Sequence, residues 1–491
     1  MTTPRIAIIG AGFGGLCAAV RLRQAGITSF TLFEKGSDVG GVWRANTYPG
    51  AACDVPSHLY EFSFAPNPRW SRRFAGQREI HAYQREVARR HGLYAHLRTD
   101  TEIASARFAE EDGVWHLTTT TGEVHEAEVL ITATGQLSRP SIPPIPGRES
   151  FAGPQFHSAT WRHDVDPAGK RVAVLGTGAS AIQFVPEVAE AAEAVTVFQL
   201  DPPHVLPKSD YPYPRAATAV FSRVPAVQRL SRWLTYWQLE SRALAFTRWP
   251  WLAAPFARRV TRHLKRKVTD ESLRRRIAPT SPLGCTRVLL SNNWYGALDR
   301  PHVDVVTERV TEVRPEGLVT EDGRTREFDV LIYGTGFRAT DFLAPMEITG
   351  RDGRELNQAW RDGAEAYLGM TVSGFPNLFM LYGPNTNLGH SSIIFMLESQ
   401  TAYVLQAVRE LSRGRTRWLD VRPEVLGRFN DEVQRRIRAT VWDRGCTSWY
   451  KNAAGKNTVN WPGFTFAYRR RTRRLELDDF HREPARTGRP M

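Results

Sequence analysis

The chain has little that would cross-link it. Its four cysteines, at positions 17, 53, 285 and 446 of 491 residues, are too few and too scattered for a disulfide framework. No CxxC pair exists to form a dithiol redox centre or a zinc site, so no metal is expected. Nor is there a run of the roughly 18–20 apolar residues that a membrane span requires. The aromatic stretch over 235–256 is interrupted by Arg242, Arg248 and Pro250. Acidic residues are outnumbered, with 65 Lys and Arg against 51 Asp and Glu and a net charge of +14. Such a balance attracts nucleic acid, anionic membrane or acidic ligands. Here the cations are mostly Arg and widely spread, densest over 258–267 and 469–474, with no RNA- or DNA-binding motif beside them. Solvated helix faces and attraction for phosphorylated cofactors account for them, and neither nucleic acid nor membrane is the expected partner. Residues 1–4 run straight into a strand pattern without the features of a secretory signal, so a reducing cytoplasm is the expected location.

What is present is an ordinary globular composition, 42% hydrophobic and 24% charged, long enough for about two to four domains. Residues 5–10 read as a short buried strand, 11–24 as a helix and 31–34 as a second strand, a βαβ unit. The same order recurs over 171–176, 179–192 and 194–199. Between the two units, 102–121 alternates like antiparallel strands and 129–132 reads as a buried strand. Pro140, Pro143, Pro144 and Pro146 mark a linker. A Trp- and Arg-rich helical stretch covers about 216–278. Within it, a packed helical insertion, a lid over an apolar channel and an interfacial membrane patch all fit the aromatic stretch over 235–256. The expected class is α/β: two Rossmann-like domains with a helical insertion. The expected divisions are a first part of the N-terminal Rossmann-like domain over 1–139, a linker over 140–165 and the second Rossmann-like domain with its insertion over 166–330. The chain then returns to the first domain over 331–470, and a polar tail over 471–491 is expected to fray.

The chemistry is carried first by Gly10-Ala-Gly12-Phe13-Gly14-Gly15. Gly10 permits the tight strand-to-helix turn, Gly12 lets a pyrophosphate approach the backbone, and Gly15 lets the helix pack closely on the sheet. The helix N-terminus then offers free N–H groups and a favourable dipole. Glu34, ending the next strand, can bind ribose hydroxyls. A second fingerprint, Gly176-Thr-Gly178-Ala179-Ser180-Ala181, again lies between a strand and a helix. Two such folds suggest two dinucleotides, one a bound flavin and one an exchangeable nicotinamide.

Further segments are more specific. Gly40-Gly-Val42-Trp43, Tyr48-Pro-Gly-Ala-Ala-Cys-Asp54 and Val55-Pro-Ser-His-Leu-Tyr60 closely resemble the flavin-site segment of type I Baeyer–Villiger monooxygenases. The linker Phe151-Ala-Gly153-Pro-Gln-Phe-His157-Ser-Ala-Thr-Trp161 matches that family's FxGxxxHxxxW signature, with Arg162 where Pro or Asp is usual. Ala133-Thr-Gly135 and Gly334-Thr-Gly-Phe337 resemble the two ATG-type strand ends of the wider flavin monooxygenase superfamily. Gly284-Cys-Thr-Arg287-Val-Leu-Leu-Ser resembles the segment carrying the family's active-site arginine, and the likeness extends through Gly383-Pro-Asn385 and Gly445-Cys-Thr-Ser-Trp-Tyr450. The resemblance implies an NAD(P)H-dependent monooxygenase that turns a ketone into an ester or lactone through a C4a-peroxyflavin. Its substrates would be an apolar carbonyl compound and molecular oxygen. Arg287 would stabilise the anionic oxygens, Asp54 would orient it, and His157 would act through domain coupling. Ile103, Gln136, Trp43 and Tyr60 are further expected cofactor contacts. An Arg and a Lys that commonly serve the 2′-phosphate are replaced by Leu200 and Thr286, and Asp201 follows where a carboxylate favours ribose hydroxyls. NADH therefore competes with NADPH as the expected nicotinamide, unless Lys208 or Lys170 compensates. Oxygenation of nitrogen or sulfur, or hydroxylation, is the nearest alternative. A non-catalytic basic surface-binding module would leave the flavin-site segments unexplained.

Overall fold

The computed structural model describes residues 3–443 and 449–485. The strands Ile6–Ile9 and Val129–Thr132 are apolar or small and buried throughout, because both of their faces are covered. They lie in a five-stranded parallel sheet ordered Leu378–Met380, Val129–Thr132, Ile6–Ile9, Phe30–Phe33, Leu97–Arg98. A second five-stranded parallel sheet repeats the plan: Val303–Val306, Ala194–Phe198, Arg171–Leu175, Val330–Tyr333, Gln155–His157. In both sheets the fingerprint strand is central, and its helix leads back to the adjacent strand. A four-stranded sheet of Glu347–Thr349, Ile103–Ala109, Val114–Thr119 and Val124–Ala127 packs beside the first sheet, with the last three strands antiparallel.

The division expected at residue 330 falls inside a sheet. Val330–Tyr333 pairs with Arg171–Leu175, so this strand belongs with the second fingerprint and not with the returning FAD domain. The linker contributes too, since Gln155–His157 is the edge strand of the same sheet. The two chain crossings run side by side. Ser141 N–H donates to Gly336 O at 2.9 Å and Arg338 N–H to Arg139 O at 3.0 Å. The tail does not simply fray: Phe480–Pro484 pairs antiparallel with Thr416–Val421. Residues 486–491 lie outside the described residues. Cys285, expected to be unpaired, is disulfide-bonded.

Between the second sheet's strands Ala194–Phe198 and Val303–Val306 rise the helices Arg215–Arg223, Pro225–Glu240, Ala243–Thr247, Ala254–Lys267 and Glu271–Arg276. Pro225 opens its helix at a position where a missing N–H costs nothing. Asp270 caps the last of them by accepting from Ser272 N–H at 2.8 Å. No helix among the described residues is long and apolar enough to cross a membrane.

Candidate functional site

The first cradle forms where the strand Ile6–Ile9 turns into the helix Phe13–Gln24. Gly10 has φ +100°, and a Cβ there would lie 2.6 Å from Ala133 O. Gly15 is required by packing, since its Cβ would meet Gly10 O at 1.8 Å. Gly14 packs on Ala133, its Cβ position 3.2 Å from the Ala133 Cβ. Gly12 differs: a Cβ there meets only Gly41 Cα at 3.6 Å, an ordinary contact, so the protein itself does not demand glycine. Gly12 caps the helix without a side-chain hydrogen bond, which leaves the first-turn N–H groups for an anion. Glu34 is buried, with its carboxylate accepting Ala11 N–H at 2.8 Å and Gly36 N–H at 2.9 Å. Thr101 N–H donates to Glu34 O at 2.9 Å, which brings the buried Ile103 to the same end of the sheet.

Gly40, Gly41, Val42 and Trp43 fold back over this turn, with Gly40 N–H donating to Ala11 O at 2.9 Å. Trp43 Nε1 donates to the Tyr60 hydroxyl at 3.0 Å, and the Phe13 ring stands edge-on to Tyr60 at 5.2 Å. Gln136 Nε2 donates to Tyr382 O at 3.0 Å, tying the Ala133-Thr-Gly135 strand end to the Tyr382-Gly383-Pro-Asn385 loop. That loop holds Tyr382 at φ +64° and Asn385 at φ +55°, in the left-handed region that few non-glycine residues adopt. Asn385 Nδ2 anchors it by donating to Asn457 O at 2.9 Å and Asn460 O at 3.2 Å.

The second cradle repeats the first. Gly176 has φ +101°, and its Cβ would lie 2.6 Å from Gly334 O, just as Gly10 stands to Ala133. Gly178 is again less crowded, at 3.7 Å from Gly334 O, and Ala181 Cβ fits 3.2 Å from the Cβ position of Gly334. Ser180 caps the helix Ala181–Ala191 without a side-chain hydrogen bond, and Ala179 precedes it. Thr177 Oγ1 donates to Asp201 O at 3.2 Å, which fixes the strand end beyond Ala194–Phe198. Leu200 is 67% exposed there. Lys170 precedes Arg171–Leu175 and so stands at the opposite end of the sheet from Gly176; it cannot serve the phosphate site. Lys208 lies near Asp54, its Nζ 4.9 Å over the Phe74 ring, and burial lowers its pKa while Asp210, Cys53 and Asp54 pull it back.

The two cradles meet through Gln183, a residue that sequence reasoning did not single out. Gln183, on the helix Ala181–Ala191, accepts from the Tyr48 hydroxyl at 3.0 Å and donates to Ala52 O at 3.0 Å. The flavin-site loop thus docks on the nicotinamide-site helix. Just beyond it, Arg287 Nε and Nη2 both donate to Asp54 Oδ2, at 2.9 and 2.6 Å. Burial alone would raise the Asp54 pKa; the charge and hydrogen bonds of Arg287 outweigh it and hold the carboxyl below its ordinary value. The Asp54 charge in turn pushes the Arg287 pKa up, so the guanidinium keeps its proton. Nη1 of Arg287 is not engaged by Asp54. The field of Arg287 reaches the hydroxyls of Tyr382 and Tyr450, the latter pushed up to about 12, chiefly by burial. Residues 445–448 of the segment ending at Tyr450 lie outside the described residues.

Each fixed position of the linker signature makes packing or backbone contacts. Phe151 is buried, and a Cβ on Gly153 would meet Asp329 O at 2.4 Å. Trp161 packs at 5.3 Å on Phe184 of the nicotinamide-site helix. His157, buried, accepts Ala159 N–H at 3.1 Å and stands edge-on to Phe337 at 5.5 Å. Burial lowers its pKa, which favours the neutral ring. It therefore links the linker to Gly334-Thr-Gly-Phe337, away from Arg287's immediate partners.

A family model described as pyridine nucleotide-disulphide oxidoreductase matches residues 7–214. A Baeyer-Villiger monooxygenase of Streptomyces coelicolor is 46% identical over 479 residues, 97% of this chain and 92% of the relative. The chain belongs to the Baeyer–Villiger monooxygenase family. A second Baeyer–Villiger monooxygenase, from Pseudomonas aeruginosa, is 44% identical over 97% of this chain and 91% of its own. The crystal structure of an OTEMO complex with FAD and NADP matches 98% of this chain and 100% of that one, with a TM-score of 0.89 at 28% identity. In this Baeyer–Villiger monooxygenase the likeness to disulphide oxidoreductases is one of architecture. Cys17 and Cys53 are free and buried, and burial raises the pKa of both thiols, which disfavours the reactive thiolate. No cluster of metal-ligating side chains occurs among the described residues.

Proposed function

We propose that this chain converts a ketone, O2, NADPH and a proton into an ester or lactone, with NADP+ and water as the other products. The reading rests on the family and on one observation: a permanently charged Arg287, steered by Asp54, at the junction of two dinucleotide cradles. Both cradles fit their groups. Each offers a helix N-terminus without a side-chain cap and a glycine, Gly12 or Gly178, where the protein leaves room. FAD would sit on Gly10, Gly12, Phe13, Gly14 and Gly15, with Glu34 at its ribose and Trp43, Tyr60 and Gln136 toward the junction. The nicotinamide nucleotide would sit on Gly176, Gly178, Ala179 and Ser180. When bound, the flavin would supply the redox chemistry between the reduced nicotinamide and dioxygen. Arg287 then holds an anionic oxygen through Nη1 while Asp54 fixes the other side of its fork. Tyr60, Tyr382 and Tyr450 wall the site and limit water. At the nicotinamide site, Asp201 leans the chain toward accepting NADH beside NADPH.

The test is a product assay. The purified protein is checked for a flavin spectrum, then given NADPH, air and a panel of ketones, amines and thioethers. Esters or lactones from the ketones are expected. N-oxides or sulfoxides without any ester would reassign the enzyme to heteroatom oxygenation.

A further inference from the structure

The helix Pro225–Glu240 is amphipathic the wrong way round. Its buried side chains are Gln228, Glu240 and the apolar Leu239, so most of what it turns inward is polar. Gln228 Nε2 donates to Glu61 Oε1 at 3.0 Å, and Arg232 Nη1 donates to His58 O at 3.0 Å and Glu61 O at 2.9 Å. The buried Glu240 carboxylate accepts the backbone N–H and hydroxyl of Thr465. Its outer face carries Val227, Leu230, Trp233, Leu234 and Trp237, spaced along one helical stripe and all exposed, Leu230 by 55%. A globular protein normally buries such a stripe and shows water the polar one. The apolar surface continues beyond the helix. Phe466 stands 6.1 Å from the Trp237 ring, and elsewhere in the same insertion Trp249 and Trp251 are exposed, Trp251 by 71%. Four of the chain's fourteen tryptophans are thus exposed within one insertion.

The charge around this patch is one-sided. From residue 211 to 269 the chain has ten Arg and two Lys, and its single acidic residue is the buried Glu240. The segment therefore carries +11 of the whole chain's +14. We propose that this insertion is a membrane-surface docking site, laying its Trp–Leu stripe into the interface of an anionic bilayer with the Arg and Lys rim on the headgroups. Tryptophan prefers the depth between acyl chains and headgroups, and a polybasic rim is drawn to an anionic leaflet. A second copy of this chain fits poorly, because a two-fold contact would set +11 against +11. Nucleic acid matches the charge but not the aliphatic Val227, Leu230 and Leu234. The proposal departs from the expectation that membrane is not a partner, and it concerns the membrane surface alone, since no helix among the described residues is long and apolar enough to span.

The experiment uses the FAD-loaded full chain in co-sedimentation with two kinds of vesicle, phosphatidylcholine mixed with phosphatidylglycerol and phosphatidylcholine alone. Binding is expected to the mixed vesicles, to weaken with added salt, and to be accompanied by a blue shift of tryptophan emission. Leu230→Glu with Leu234→Glu should weaken it by about tenfold or more, with ketone oxygenation in solution unchanged. Trp251→Ser, on a separate element, should weaken it independently should the double variant fold poorly. Equal binding by wild type and all variants would overturn the proposal. So would equal binding to uncharged vesicles, tighter binding to duplex DNA, or a sedimenting dimer that the double variant dissociates.

Discussion

Replacing Asp54 by alanine removes the oxygen that receives both Nε and Nη2 of Arg287, at 2.9 and 2.6 Å. The guanidinium keeps its charge but loses its aim. A hydrogen bond to a charged group contributes about 1.5–3 kcal/mol. The two side chains remain 35% and 26% exposed, so solvent screens the pair and discounts its worth in positioning to about 1–3 kcal/mol in all. At about 1.4 kcal/mol per factor of ten, ester formation should fall about 5- to 150-fold. NADPH oxidation should continue, because the cradles do not depend on Asp54, and the lost oxygenation should appear as hydrogen peroxide. The assay is ester formed per NADPH consumed, with peroxide measured in parallel and FAD content checked by absorbance. The pair also sets an acid limit. Asp54 is held below its ordinary value of 3.8, so its ionised form contributes fully above that pH and is lost as pH falls through the lower folded value. Wild-type coupling should therefore be flat above about pH 4. An Asp54→Ala enzyme that still forms one ester per NADPH at the wild-type rate would refute the positioning argument.

The sequence made the two cradles legible because each needs a glycine for a reason visible locally. A Cβ on Gly10 or Gly176 would lie 2.6 Å from the carbonyl oxygen of a neighbouring strand end, and those ends, Ala133-Thr-Gly and Gly334-Thr-Gly, are themselves readable motifs. What could not be read is which sheet a buried strand joins. Val129–Thr132 and Val330–Tyr333 are both short, apolar-rich and fully buried, and nothing within either segment names its partner. The boundary at 330 failed for that reason. The pairing of Phe480–Pro484 escaped notice because Arg482 and Glu483 are polar on an edge strand. Arg287 and Asp54 lie 233 residues apart, so their meeting was expected from family resemblance rather than from spacing. Gln183 sits in an unremarkable helix, and only the docking of the Tyr48 loop reveals its use.

Gly12→Ala and Gly15→Ala should fail differently. Gly12→Ala should leave apoprotein stability unchanged but lower FAD occupancy, whereas Gly15→Ala, with its Cβ 1.8 Å from Gly10 O, should cost about 1–3 kcal/mol or more even without FAD. Apoprotein melting and flavin content together separate the two, and equal melting would undo the distinction. At the nicotinamide site, Leu200→Arg should shift the kcat/KM ratio toward NADPH over NADH by about 1–3 kcal/mol; no shift would place the 2′-phosphate away from Leu200. Glu61 supplies a pH test. Its Oε2 accepts Asn67 N–H at 2.8 Å and Trp70 Nε1–H at 2.7 Å, and its Oε1 accepts from Gln228 at 3.0 Å. All three favour the carboxylate, yet burial outweighs them and raises the group from 4.5 to about 8. Native Glu61 thus holds a proton where the unfolded chain has released it. Stability from this group is complete below 4.5 and declines as pH rises toward about 8, because the native state binds more protons in that window. Glu61→Gln cannot ionise and should flatten that decline. It should also lose about 1 kcal/mol at the acid end, where its amide N–H2 opposes that of Gln228. Melting curves of both proteins across the window give the difference directly, since every other titrating group cancels. Parallel curves would mean that Glu61 is already ionised in the native protein, with Arg232 close enough to keep it so.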